Sequence, residues 1–412
     1  MLDFSILIIT IYNNVLKLLF MKIGLPYNKE LKFLFKIFDN YQKDSLRVVG
    51  GAVRNFLMNK KINDYDLTTT LLPECIIKLL TSYNIKYLEV GKKFGTIIAI
   101  INNKQFEITT LRKDIETDGR HANVCFISSY EIDSKRRDLT INALYADKNK
   151  NLYDFHNGIL DLNKKIIRFI GNADLRVKED FLRILRFFRF YGDYGTVLDY
   201  KSLQACRNNK EFIKTLSKER IHEEFIKILN SYQFYETIFL MNYYGILEEI
   251  INIKNAKLHS LETFFYLKPY VNYDCNKLFT LVLLVQENNI ENIGELLKLS
   301  NKEKQYINTL LKYSTTANIK ELFFNLNDKN LVKEIIILYS IINSKDINFI
   351  NKNIKSINYL KKINFNFSVK DLQEAGYNDN KQFGILLKKA RNIFIENNFK
   401  INNKKIIKLL KN

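Results

Sequence analysis

The chain has no tryptophan, three prolines and 14 glycines in 412 residues. That scarcity, set against abundant lysine, asparagine and isoleucine, is the composition bias an AT-rich genome produces. No uncharged apolar run reaches the ~18 residues a membrane span needs, so no transmembrane helix is expected. The four cysteines (Cys75, Cys125, Cys206, Cys275) stand far apart without a C-x-x-C pair. This argues against a disulfide framework and a zinc site and suits a reducing cytoplasm. The four histidines form neither H-E-x-x-H nor an adjacent His-Asp pair, so no His-based metal-hydrolase site is visible. The opening MLDFSILIITIYNNVLKLLF lacks a basic leader and an A-x-A-like cleavage site. It reads either as an amphipathic first helix or as an over-extended start ahead of Met21.

What is present is length enough for two or three domains with a sizeable core. A formal net charge of +20 points to a polyanionic partner. Lysine is in part a mutational default here, so the charge alone supports both a nucleic-acid reading and a bland one.

The first half reads as mixed α/β. RVVG (47–50), DYDLTTT (64–70), IKYLEVG (85–91), FGTIIAII (94–101) and QFEITTLR (105–112) are strand candidates rich in β-branched residues. AVRNFLM and PECIIKLLTSY are helices, the second with Pro73 at its start. Residues 113–121 read as a polar loop. From about residue 160 the periodicity is helical, as in EDFLRILRFFRF (179–190) and SKERIHEEFIKILN (217–230), the latter with Ser217 as a cap. Beyond 231, apolar-periodic segments such as YETIFLMNYYGILEEIINI and KNLVKEIIILYSIIN alternate with Asn/Lys turns. Apolar residues return too often for disordered linkers. The expected fold class is an α/β head followed by a long helical body.

One stretch concentrates chemistry: VVGGAVRNFLMNKKINDYDLTTT (48–70). Asp64 and Asp66, at i and i+2 on a strand, point the same way. They can hold a divalent ion against an incoming triphosphate, and Mg²⁺ suits because it takes one or two carboxylates with phosphate oxygens and water. A D-x-D at a solvated strand end is the plain alternative. Gly50 and Gly51 close a strand and open a helix, where backbone N–H groups can approach phosphate without a Cβ in the way. Arg54, one turn on, can reach a phosphate oxygen; the plain alternative is a tight turn with a surface arginine. Glu107, on a neighbouring strand, is either a third carboxylate for the metal or an exposed strand residue.

These residues resemble the first motif of the class II tRNA nucleotidyltransferases, the CCA-adding enzymes, which share a branch with bacterial poly(A) polymerases. KRRDLTINALYAD (135–147), NGILDLNKKIIRFIG (157–171), EDFLRILRFFRF and SKERIHEEFIKIL are similar to later family motifs in the same order. LRKDIETDGRHANVCF resembles the loop associated with A addition. The resemblance is strong from Leu46 to Leu229, faint at FSVKDLQEAGY and KQFGILLKKA, and absent elsewhere. It implies a polymerase-β-like head with a mixed sheet (26–155) behind an N-terminal extension (1–25). A helical neck (156–230) and a helical body and tail that bind tRNA (231–412) would follow. It further implies that Asp64 and Asp66 bind Mg²⁺ and that Gly51, Arg54 and Arg137 contact the nucleotide. Asp180, Arg183, Arg186 and Arg189 would line the rest of the pocket, with CTP and ATP as substrates and poly(A) synthesis or partial CC or A addition as rival activities. A catalytically dead RNA-binding protein is the rival of another class, and both aspartates being present argues against it. Two departures from the family pattern stand out. Asn55 replaces the usual Asp after the arginine, and Phe181 replaces the usual Pro after Glu-Asp.

The neck motif also has a physical reading. Asp180 and Arg183, three apart on a helix, share a face. A carboxylate accepts from the amino group of cytosine or adenine, and a guanidinium donates to the adjacent ring nitrogen. Guanine and uracil present the reverse pattern. Arg186 and Arg189 continue the spacing toward triphosphate or the tRNA end. A surface amphipathic helix is the plain alternative. Asp138 is expected to orient an arginine or cap a helix, and Arg220 with Glu224 to form an ion pair.

Overall fold

The computed structural model describes residues 22–117, 122–254, 256, 258–285, 290–379 and 381–411. The expected first helix and the whole D-G-R-H stretch (118–121) lie outside them. The chain divides into two compact units, Met1–Ala256 with Asn292–Leu299, and Lys257–Glu291 with Ser300–Asn412.

The first unit begins with α1 (Lys29–Tyr41), capped by Asn28, whose side chain accepts from Leu31 N. Leu31, Leu34, Phe35 and Phe38 recur at helical spacing and are buried. The strands up to residue 154 are β1 (Leu46–Val49), β2 (Asp66–Thr69), β3 (Lys86–Gly91), β4 (Thr96–Ile101), β5 (Lys104–Thr110), β6 (Arg112–Thr117), β7 (Ala122–Phe126), β8 (Leu144–Ala146) and β9 (Leu152–Asp154). Among the described residues seven of these form one sheet, ordered β3-β4-β5-β2-β1-β8-β9. Its pairings are antiparallel except β2 with β5, so the sheet is mixed as expected. On β4, Ile97 and Ala99 are fully buried while their neighbours are half-buried, the alternation a one-sided sheet requires. Helices α2 (Gly51–Leu57) and α3 (Pro73–Ser82) follow β1 and β2, and α4 (Tyr130–Lys135) follows β7.

Two expectations change. The strand expected over 64–70 begins only at Asp66. Residues 113–117 of the polar loop expected over 113–121 lie instead in β6, which pairs with β7 in a two-stranded sheet of its own.

The neck expected over 156–230 contains α5 (Gly158–Asn163), α6 (Ala173–Glu179), α7 (Leu182–Tyr194), α8 (Tyr200–Asn208) and α9 (Lys218–Leu229), and α10 (Phe234–Tyr243) and α11 (Ile246–Ile251) follow. EDFLRILRFFRF is not one helix. Asp180 is extended (φ −159°, ψ 108°) and separates α6 from α7. Ile184, Leu185, Phe187, Phe188 and Phe190 of α7 are buried, and the arginines alternate with them. Gly192 marks where α7 runs close to the turn before α10: a Cβ there would lie 2.2 Å from Ser231 Oγ. Ser217 occupies the N-cap of α9 without a side-chain bond.

The second unit is helical, from His259–Leu267 through Phe279–Val285, Asn301–Tyr313 and Lys329–Ile342 to Phe383–Glu396 and Asn403–Lys411. Its last helices close on a cluster of Phe367, Leu372, Phe383, Leu386, Phe394 and Ile406. Among the described residues no helix is long and apolar enough to cross a membrane.

Candidate active site

The site starts at the turn between β1 and α2. Gly50 has φ 67°, a left-handed conformation that costs an L side chain energy. A Cβ there would also meet Asn142 O at 3.4 Å. Gly50 N–H donates to Leu144 O at 2.9 Å, which ties the turn to β8. Gly51 opens α2, and an added Cβ would meet only Arg54 Nη2, at 3.8 Å. Arg54 is buried. Its Nη1 donates to Asn142 Oδ1, and its Nη2 to Asn55 Oδ1 (3.1 Å) and the Tyr194 hydroxyl (3.1 Å). Its guanidinium lies over the Tyr194 ring at 4.6 Å and the Phe190 ring at 5.0 Å. Its Nε is buried with no hydrogen-bond partner. Asn55 thus serves Arg54 as a neutral acceptor: the amide accepts a hydrogen bond as an Asp could, and adds no counter-charge to the guanidinium.

The carboxylates gather at the start of β2. Asp66 pairs in register with Glu107 of β5, so both project from the same face. Asp64 lies two residues ahead of the strand. All three are solvent-exposed. Protein packed around the Asp66 carboxyl nonetheless strips part of its hydration. That desolvation, with the like charges of Asp64 and Glu107, pushes its pKa up to about 6 against the opposing pull of Arg137 and Arg54. Crowded carboxylates whose neighbouring cations fail to offset them are the chemical complement of a divalent ion, so the residues fit one. Among the described residues no three acidic, His or Cys side chains already stand together as a ready metal cage.

Arg136 and Arg137 both pair with buried Asp133, at 2.8 and 3.2 Å, and Arg137 Nε donates to the Tyr145 hydroxyl at 3.0 Å. Asp138 does orient an arginine. Its Oδ2 accepts from Arg186 Nε at 2.6 Å, and its Oδ1 from Leu139 N and Asn142 Nδ2. Burial opposes its ionisation. The Arg186 charge and these hydrogen bonds outweigh that and hold the carboxyl well below the usual range.

The neck residues are engaged as well. Asp180 caps α7 through Leu182 N (3.1 Å) and accepts from Arg220 Nη2 (2.7 Å). Arg183 Nη1 donates to Glu179 Oε2 (2.5 Å) and Arg176 O (2.9 Å), and its Nη2 to Arg136 O (3.1 Å). Asp180 is therefore not on a helical face with Arg183: it precedes α7, and Arg183 lies in that helix's first turn. Arg189 Nη1 donates to Glu224 Oε1 at 2.9 Å. Arg220 and Glu224 do not pair with each other: each reaches across to the α7 segment. Phe181 stacks on Phe212, rings 4.7 Å apart and 13° from parallel, and holds the helix start that a Pro would otherwise restrict.

Sequence reading missed Asn142, Tyr194, Asp133 and Glu179. Asn142 and Tyr194 have no spacing signal, because they meet Arg54 across elements far apart in the chain. Asp133 with Arg136 and Arg137, and Glu179 with Arg183, stand three or four residues apart, a helical spacing that could have found them. Asn142 and Asp133 did lie in or beside the KRRDLTINALYAD stretch.

A mixed sheet with carboxylates on β2 and β5, beside a glycine turn carrying a buried arginine, defines a nucleotidyltransferase head. The family described as Poly A polymerase head domain matches residues 46–168, and the one described as Probable RNA and SrmB-binding site of polymerase A matches residues 197–256. A CCA-adding enzyme of Staphylococcus haemolyticus is 30% identical over 356 residues, 83% of this chain and 84% of its own. The chain belongs to this family of CCA-adding tRNA nucleotidyltransferases. The CCA tRNA nucleotidyltransferase 1, mitochondrial, of Danio rerio is 42% identical over 192 residues, 46% of this chain and 44% of its own, so the match spans less than half of that relative. The Bacillus stearothermophilus CCA-adding enzyme solved in complex with CTP shares the fold, with a TM-score of 0.75 at 21% identity over 93% of this chain and 98% of that one.

Proposed function

We propose that the chain adds C, C and A to the 3′ end of tRNA, using CTP twice and ATP once and releasing pyrophosphate at each step. The tRNA 3′-hydroxyl attacks the α-phosphorus, and the bond to the β-phosphate oxygen breaks. The observation that carries this reading is the crowded Asp66 carboxyl, in register with Glu107 and close to Arg54 and Arg137. Asp64 and Asp66, with Glu107 as a third candidate, would hold Mg²⁺, which when bound supplies charge neutralisation for the attacking and leaving oxygens.

The chain's own residues do the rest. Arg54, with its unsatisfied buried Nε, offers a donor to a phosphate oxygen. Arg137, fixed by Asp133 and Tyr145, adds a second guanidinium that cannot swing away. Asp180 and Arg183 select bases by offering an acceptor and a donor that match cytosine and adenine. Guanine and uracil would leave both unpaired, at about 1–3 kcal/mol each. Gly51 lets the backbone approach the nucleotide, and Arg186 and Arg189 line the remaining wall. The excess of basic residues suits tRNA held by shape and charge. Four unpaired cysteines suit a reducing compartment, the cytoplasm.

The test uses purified protein, Mg²⁺ and a tRNA transcript ending before CCA, with each labelled nucleotide offered singly and then together. Growth by two residues with CTP, and by one more when ATP is added, is the expected result. Long ladders from ATP alone on any RNA would make it a poly(A) polymerase, and growth that stops after two residues or requires a CC end would make it a partial enzyme.

A further inference from the structure

Arg186 and Tyr194 lie eight residues apart on α7, about 12 Å along the helix axis. A chain of hydrogen bonds runs from one to the other through the head. Arg186 Nε donates to Asp138 Oδ2 (2.6 Å), and Asn142 Nδ2 donates to Asp138 Oδ1 (3.1 Å). Arg54 Nη1 donates to Asn142 Oδ1, and Arg54 Nη2 donates to the Tyr194 hydroxyl (3.1 Å). Asp138, Asn142 and Arg54 are each more than nine-tenths buried. The backbone of α7 closes the ring.

Asn142 is the junction between the carboxylate arm and the guanidinium arm. It sits in the short helical turn Thr140–Asn142, below the Gly50 turn. Its amide presents a donor to Asp138 and an acceptor to Arg54. No other orientation works: flipped, it would set oxygen against carboxylate and NH₂ against guanidinium. An Asp here would face Asp138 with like charge. An apolar residue would strip one bond from each neighbour inside a buried network.

We propose that Asn142 is a positioning residue that couples Arg54 to Arg186, so that the two guanidiniums are set as one unit. Arg54 comes from the head and Arg186 from the neck. Neither can shift without breaking a bond that fixes the other. The inference rests on the proposed reaction, in which both arginines line the nucleotide pocket.

The test is a charge relocation. Asn142→Asp keeps the acceptor for Arg54 and turns the Asp138 contact repulsive. Combining it with Asp138→Asn restores the donor–acceptor pair with residue 142 and the original net charge, and keeps an acceptor for Arg186. It gives up only the bond from Leu139 N–H, which Oδ1 of Asp138 accepts in the unsubstituted chain. Single-turnover incorporation of CTP and ATP, tRNA retention on filters and thermal melting are measured on each variant. Asn142→Asp is expected to lower kcat/KM for both nucleotides on the order of tenfold, the scale of one lost charge-assisted hydrogen bond, with tRNA retention unchanged. The double variant is expected to recover to within about threefold, a remaining loss smaller than one such bond. A purely structural asparagine would change melting without this recovery of nucleotide kinetics. Wild-type kinetics in Asn142→Asp, or a folded double variant as impaired as the single, overturns the proposal.

If Asn142→Asp does not fold, Arg54→Lys, Arg186→Lys and their combination decide. Coupling requires the combined loss to be smaller than the product of the single losses, and losses that multiply overturn it. An unsubstituted chain that fails to extend tRNA would sink the proposed function instead, an outcome separate from a working enzyme indifferent to Asn142.

Discussion

Glu224 of α9 accepts a hydrogen bond from Arg189 of α7 at 2.9 Å, with both side chains largely withdrawn from water. Lys227 adds a weaker contact to the same carboxylate at 3.4 Å. Removing the acid leaves a largely buried guanidinium without its direct ion-pair partner. Glu224→Ala is expected to lower the free energy of unfolding by about 3 kcal/mol, the cost of breaking a buried pair from one side. Glu224→Gln, which keeps an acceptor, should lose less. Urea titration with an unchanged m-value checks both.

Asp66 carries a stability cost tied to its role. Its folded pKa of about 6 lies above its ordinary value of 3.8, so between those pH values the folded state binds more protons than the unfolded one. Stability therefore falls as pH rises through this window. Asp66→Asn should melt above wild type at pH near 7.5. The gain is on the order of 1 kcal/mol, since an exposed carboxyl keeps much of its solvation. The gain should shrink as pH drops through about 6 and vanish only below 3.8, where both states are protonated. Nucleotide incorporation should be lost at every pH. Added Mg²⁺ should raise the melting point of wild type and not of Asp66→Asn.

Phe181 sets the start of α7 by stacking on Phe212, at φ −63°. Phe181→Ala should cost about 1 kcal/mol or more through lost aromatic packing. That φ suits proline, and the extended Asp180 before it tolerates one. Phe181→Pro should therefore be more stable than Phe181→Ala by about 0.5 kcal/mol, through a stiffer unfolded chain. Equal melting of the two variants would count against this account.

Base selection should depend on residues that hold the selecting pair as well as on the pair. Arg183→Ala is expected to admit UTP and GTP or to cut CTP use by roughly 10- to 100-fold, one or two unmade polar contacts. Arg220→Ala loosens Asp180, which Arg220 holds at 2.7 Å, and should show a weaker loss of the same kind. Misincorporation with single nucleotides measures both. Unchanged selectivity in Arg183→Ala would place the pocket elsewhere.

Local sequence by itself determined the class of each half and the chemistry at stake. β-branched runs and glycine punctuation mark the head's strands, because burial on a pleated sheet selects those residues. A 3.6-residue period marks α7, because its apolar stripe must face a core. The D-x-D, the glycine pair and Arg54 are legible because they act within one turn of chain. Only the tertiary structure decided who holds whom. It put Glu107 beside Asp66 through a parallel pairing that no local pattern specifies. It ended α6 at Asp180, where a continuous helical period suggested a single helix. It sent Arg220 and Glu224 to different partners across the neck, and it placed Asn142 between Asp138 and Arg54. Except for that between Asn142 and Asp138, these are contacts between residues 35 to 88 positions apart. Their geometry follows from how whole elements pack, and short-range spacing carries no record of it.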